Sequence, residues 1–156
     1  MIKVDVLTKE KKWKKYIVNP QKYLNNKINK IKSLLPFLKG KKIFFSVLLS
    51  GDREIKNLNK KFRKKNKATD VLSFPFYKGK ELRKQLRINR EAYLGDIALN
   101  YYKIKAPKKL DFTLEFNKLW VHGFLHLVGH RHHKKNDFIK MKKLEDKILI
   151  KIRDKI

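Results

Sequence analysis

Cysteine is absent from the 156 residues, which excludes a disulfide framework, a thiolate metal site and a cysteine nucleophile together. Long apolar runs are missing as well. The longest, Ile43 to Leu49, is interrupted by Ser46 and falls far short of the roughly 20 residues that a membrane-spanning helix requires. The opening stretch MIKVDVLTKEKKW holds no apolar segment of the kind a secretory signal carries. These absences predict a soluble protein of a reducing cytoplasm with no membrane association. Acidic residues are scarce: 14 Asp and Glu stand against 42 Lys and Arg, a formal net charge of +28. Such an excess suits a polyanionic partner, because basic side chains that meet phosphates release condensed counterions. Charge alone does not name that partner. Only seven of the 42 basic residues are Arg (Arg53, Arg63, Arg83, Arg87, Arg90, Arg131 and Arg153), in a chain also rich in Ile, Asn and Phe, and a genome favouring A and T codons writes the same composition.

What is present suffices for one core. The chain has the length of one ordinary domain, and its apolar share of 42%, with ten Phe, six Tyr and two Trp, offsets a charged share of 36%. Residues 1–156 are therefore read as one domain. Ile2, Val4 and Val6 alternate with Lys3 and Asp5, the period of a half-buried strand. A basic segment follows with Ile17, Tyr23, Leu24, Ile28, Ile31, Leu34 and Leu35 at roughly helical spacing as far as Pro36, and Gly40 punctuates it. Ile43 to Leu49 predicts a buried strand, with Ser50, Gly51 and Asp52 as turn and cap chemistry for a helix carrying Ile55, Leu58 and Phe62 inward and ending near Arg63–Lys67. Thr69 to Phe76 is a strand stopped by Pro75, residues 77–91 form an exposed loop, and Tyr93 to Asn100 is a strand whose Gly95 marks a bulge or a close backbone approach. Pro107 precedes an apolar helix from about Asp111 to Val128 that ends at Gly129, and Asp137 caps a last helix bearing Phe138, Met141, Leu144, Ile148 and Ile152. The expected fold is α+β: a mixed sheet of about four strands packed with about five helices.

All five histidines lie between His122 and His133. His122 and His126 stand at i and i+4, one turn apart on one face of a helix, so both imidazoles can be directed to one point. Gly129 lets the chain leave the helix with positive φ, and His132 can then fold back toward the same point, at the C-terminal end of a central buried helix. Three imidazoles leave the fourth position of a tetrahedral Zn²⁺ open, the arrangement of a catalytic zinc, and water bound there loses a proton near neutral pH. His130 and His133 are rivals for the third place. The spacing also matches the zinc-protease skeleton H-E-x-x-H-x-x-G-x-x-H, but the position of its catalytic glutamate is occupied by Gly123, which disfavours peptide hydrolysis.

The stretch His122-Gly-Phe-Leu-His126-Leu-Val-Gly129-x-x-His132 resembles the H-G-x-L-H-L-x-G-Y-D-H signature of the YbeY family of bacterial endoribonucleases. Thr69-Asp70-Val71-Leu72-Ser73-Phe74-Pro75 matches its T-D-V-L-S-F-P, Leu94-Gly95-Asp96-Ile97 its L-G-D-I, Asn59-x-x-x-Arg63 its N-x-x-x-R, and Met141 with Glu145 its M-x-x-x-E. The resemblance implies an α+β fold and one Zn²⁺ per chain held by His122, His126 and His132, the last chosen because it alone fits the family spacing. It also implies that Arg63 lies near the metal cleft, where a guanidinium fork could stabilise phosphate charge as a catalytic group. The implied activity is single-strand endoribonuclease action in ribosomal RNA maturation and ribosome quality control, with ribosomal RNA or the small subunit as partner. The alternatives are a non-catalytic, ribosome-associated RNA-binding assembly factor with a structural metal and, less favoured, a zinc peptidase. One departure stands out: the family's Tyr-Asp before the third ligand is His130-Arg131 here. Glu145 beside Met141 reads as helix packing, and Phe74, Phe76 and Tyr77 read as core.

Overall fold

In the computed structural model, which describes residues 1–106 and 108–154, the alternating opening segment forms strand β1 (Ile2–Thr8) and the apolar run forms β2 (Lys42–Ser50). Between them lies helix α1 (Pro20–Lys30), with Asn19 at its N-cap accepting from the Lys22 amide and Pro20 in the first turn, where a missing N–H costs nothing. Helix α2 (Asp52–Arg63) leads to the short β3 (Val71–Pro75), and α3 (Glu81–Ile88) to the long β4 (Glu91–Asn100). Two long helices finish the chain: α4 (Lys109–Leu127) and α5 (Lys135–Ile152). The sheet runs β1-β2-β4-β3, with the first two pairings parallel and β3 antiparallel to β4. This is the expected α+β architecture, a mixed four-stranded sheet with five α-helices among the described residues. Among those residues no helix is long and apolar enough to cross a membrane. Pro107, expected to precede α4, lies outside the described residues.

Helix α4 is the spine of the core. Phe112, Phe116, Trp120 and Phe124 recur every four residues and are all buried, so they form one ridge along the helix. Trp13 packs against Phe112 and Phe116 at ring distances of 5.6 and 5.5 Å, and Phe45 of β2 meets Phe124 at 5.1 Å. The outer edge of β1 is occupied by α1: Asn25 Oδ1 accepts from the Val4 amide at 3.0 Å, Gln21 Oε1 accepts from the Val6 amide at 2.8 Å, and both side-chain amides donate back to the Val4 carbonyl.

Five expectations need correction. Phe76, expected in the core, is 64% exposed just past the end of β3. Residues 77–91 are not a loop throughout, because Leu82 and Leu86, one turn apart and both buried, fold the charged segment into α3. The basic segment up to Pro36 is not one helix; α1 stops at Lys30 and the remainder is short 3-10 turns. Phe62 does not face inward: it is 59% exposed, while Asn59, one turn earlier in spacing to Arg63, is buried. Of Ser50, Gly51 and Asp52, it is Gly51 that stands at the N-cap of α2, and Asp137 is not a cap. Asp52 Oδ1 accepts from Asn100 Nδ2 at 2.7 Å, and Asp137 sits inside the first turn of a helix that begins at Lys135, where its charge still complements the helix dipole.

Candidate metal centre

Helix α4 delivers two imidazoles and its ending delivers the third. Gly129, at φ +101°, takes the left-handed conformation that lets the chain turn. The Gly129 amide then donates to the His126 carbonyl and the His130 amide to the Leu125 carbonyl, the paired bonds that close a helix C-terminus. That turn brings His132 back. His122, His126 and His132 each place a ring nitrogen within 4.8 Å of the others. His130 and His133 line the same cleft but are outside this group of three.

Each of the two helical imidazoles is held from behind. His122 Nδ1 donates to Glu145 Oε1 of α5 at 2.6 Å, and His126 Nδ1 donates to the His130 carbonyl at 2.8 Å. Both Nε2 lone pairs are thereby turned to the centre, where they stand 3.0 Å apart. Two nitrogens coordinating one tetrahedral zinc are separated by roughly 3.4 Å, so the donor set and its spacing fit such an ion. Burial lowers the pKa of His126 below its usual 6.5, reinforced by the neighbouring His122 and His132 and opposed by the His130 carbonyl. That shift favours the neutral ring a metal requires. Burial lowers His130 too, aided by the positive charge of Arg83.

Glu145 was legible only as a motif match, since nothing in local spacing places a residue 23 positions downstream behind His122. The change at residue 130 leaves the backing of His126 intact, because the acceptor there is a main-chain carbonyl that any residue supplies. At 131 the departure alters charge: Arg131 joins Arg63 and Lys65 along a cleft of about 540 Å³ whose lining carboxylate is Asp70.

Arg63 reaches this cleft because of how α2 ends. Lys64 adopts the left-handed conformation at φ +57°, the Lys65 amide bonds back to the Asn59 carbonyl, and Asn59 Nδ2 donates to the Lys67 carbonyl at 2.9 Å. Asn59 thus folds the loop against the helix while Arg63 and Lys65 remain exposed on the cleft wall. The opposite wall is fixed by β3, whose Ser73 hydroxyl donates to the Gly123 carbonyl at 3.1 Å. A Cβ on Gly123 would lie 2.8 Å from Ile97 Cγ2 and 3.1 Å from Ser73 Oγ. The position that holds a glutamate in zinc proteases is therefore pressed against the sheet, with no room for a side chain.

The comparisons agree over nearly the whole chain. The model of the family Endoribonuclease YbeY matches residues 7–153. The chain belongs to the YbeY family. An Endoribonuclease YbeY of Pelagibacter ubique is 42% identical, with 100% of this chain aligned to 99% of the relative. That of Thermodesulfovibrio yellowstonii is 33% identical over 95% of this chain and 96% of its own. A solution structure of a Thermotoga maritima protein superposes with a TM-score of 0.54 at 26% identity, covering 95% of this chain and 89% of that one. YbeY membership agrees with the spread of matched motifs across α2, β3, β4, α4 and α5.

Proposed function

We propose that this chain is a zinc-dependent single-strand endoribonuclease acting in ribosomal RNA maturation and ribosome quality control in the cytoplasm. His122, His126 and His132 hold one Zn²⁺, and Arg63 is the catalytic residue that meets the phosphate. The observation that carries this reading is the convergence of three imidazoles, two of them backed by hydrogen bonds, in a cleft lined by cations.

When bound, the ion supplies Lewis acidity toward a phosphoryl oxygen and toward water. Everything else is done by the chain. Glu145 and the His130 carbonyl fix the ring orientation of His122 and His126, and such backing groups are commonly worth about 10–100-fold in metal affinity. Arg63 offers two parallel N–H groups to the phosphate being cut and stabilises the negative charge that builds there. Lys65 and Arg131 hold neighbouring phosphates, so the strand is drawn in by charge. Gly123 leaves no base at the position of the zinc-protease glutamate, which disfavours peptide cleavage.

The test is metal analysis and RNA cleavage on untagged wild type and His126→Ala side by side. The expected result is about one zinc per chain with cleavage in the wild type, and neither in the variant. Cleavage that persists in His126→Ala, or metal bound without cleavage of any single-stranded RNA, would instead leave a ribosome-associated assembly factor with a structural ion.

A further inference from the structure

Arginine is the scarce cation of this chain, seven against 35 Lys, yet it is not scattered. Arg63 and Arg131 line the metal cleft, and Arg83 and Arg87 line a second, smaller concavity of about 200 Å³ together with Phe37 and Lys41. Four of the seven arginines therefore line two cavities to which only two lysines, Lys65 and Lys41, contribute. Guanidinium differs from ammonium in holding phosphate through a planar two-pronged fork, so this segregation points to anion recognition rather than to general basicity.

The two cavities are neighbours. The Gly79 carbonyl, just before α3, lies beside Gly129 at the turn that delivers His132, and α3 continues from there. Arg83 and Arg87 stand one turn apart on the same face of α3 and are both exposed. The Arg83 guanidinium carbon sits 4.4 Å above the Phe37 ring, a stack that fixes its plane and leaves its N–H rim free for acceptors. Lys41 Nζ donates to the Leu86 carbonyl at 2.6 Å and so ties down the end of the helix that carries both arginines. Among the described residues no carboxylate pairs with Arg83 or Arg87.

We propose that Arg83 and Arg87 form a second phosphate-holding station, so that a single RNA strand seated in the metal cleft leaves it across α3. The proposal rests on the ribonuclease reading above and adds the strand's direction of exit and the length of RNA the protein engages.

The experiment is fluorescence anisotropy on the purified full-length chain with labelled single-stranded RNA of about 6 and about 14 nucleotides, within the range single-strand binding sites span. Oligonucleotide integrity is checked by gel, and binding is followed over a salt series. Wild type should bind the longer strand about tenfold more tightly. Arg83→Gln/Arg87→Gln should lose most of that gain and leave the short strand unaffected, with a salt slope shallower by about 1.4 for two lost phosphate contacts. Arg83→Lys/Arg87→Lys, which keeps the charge but gives up the planar fork stacked on Phe37, should keep the slope and lose about two- to threefold. Arg53→Gln/Lys56→Gln removes two charges from the far end of α2 and should change affinity less than about twofold. A glutamine pair indistinguishable from wild type, or a control that loses as much, overturns the station while the ribonuclease reading stands. Wild type that binds neither strand overturns that reading itself.

Discussion

Two hollows of nearly equal size lie on opposite faces of the same sheet, and they share almost nothing chemically. One is the three-histidine cleft of about 540 Å³; the other, about 560 Å³, is a groove between α2 and the open face of the sheet, floored by Leu48, Phe74 and Ala98 with Asp5 and Asp96 set into it. Strand β3 divides them by simple alternation. Val71, Ser73 and Pro75 face the histidines, while Phe74 faces the groove. Room for a ligand is therefore no guide to where the chemistry lies. What distinguishes the cleft is that donors converge there and are braced from behind, whereas in the groove two of the polar side chains, Ser46 and Asp96, are both tied to the Tyr93 hydroxyl.

The strongest way to test that contrast is to remove one converging donor. His126→Ala should abolish metal binding and reduce cleavage by at least about a thousandfold, since the ion and its orientation go together. Phe62→Ala on the groove wall should leave both unchanged, and a cleavage loss in Phe62→Ala would break the division between the faces. Next in size is the seam at β3 itself. A Cβ on Gly95, at φ +130°, would lie 2.2 Å from the Phe74 carbonyl oxygen, so Gly95→Ala should destabilise the protein by about 3 kcal/mol or more, read by urea denaturation. Glu145→Ala should weaken zinc affinity by about 10–100-fold in a chelator competition while the fold survives. Gly123→Ala should cost about 1–2 kcal/mol, as crowding against Ile97 outweighs the roughly 1 kcal/mol that alanine gains over glycine within a helix.

The smallest expected effect is one of pH. Burial holds His126 and His130 below 6.5 in the folded chain, so the unfolded chain takes up these protons first as pH falls. Stability from this source is complete above about pH 6.5 and declines as the pH drops toward the lowered values. The melting temperature of metal-free protein should fall from pH 7 to pH 5, and His126→Gln/His130→Gln should flatten that slope.

The three-histidine cluster was legible because it is local. The i, i+4 pair and the glycine that turns the chain are facts of one helix and its end, and sequence spacing records both. Arg63 was legible through its motif but not through its cause, since Asn59 was not recognised as the residue that folds the following loop under the helix. The contact of Glu145 with His122 was missed because the two lie on different helices, and amphipathic spacing alone makes Glu145 look like packing. Helix α3 was hidden for a different reason: its two buried leucines are outnumbered by charge, and only their burial against the rest of the core reveals the turn they share.

The side chains of Gln21 and Asn25 along β1 have one further effect. They occupy the Val4 amide and carbonyl and the Val6 amide, which an incoming extended strand would need, and at the sheet's other margin β3 is only five residues long and ends in Pro75. Neither border offers a template on which another molecule could add a strand. Strand addition between copies of this chain is thus discouraged by edge geometry as well as by mutual electrostatic repulsion.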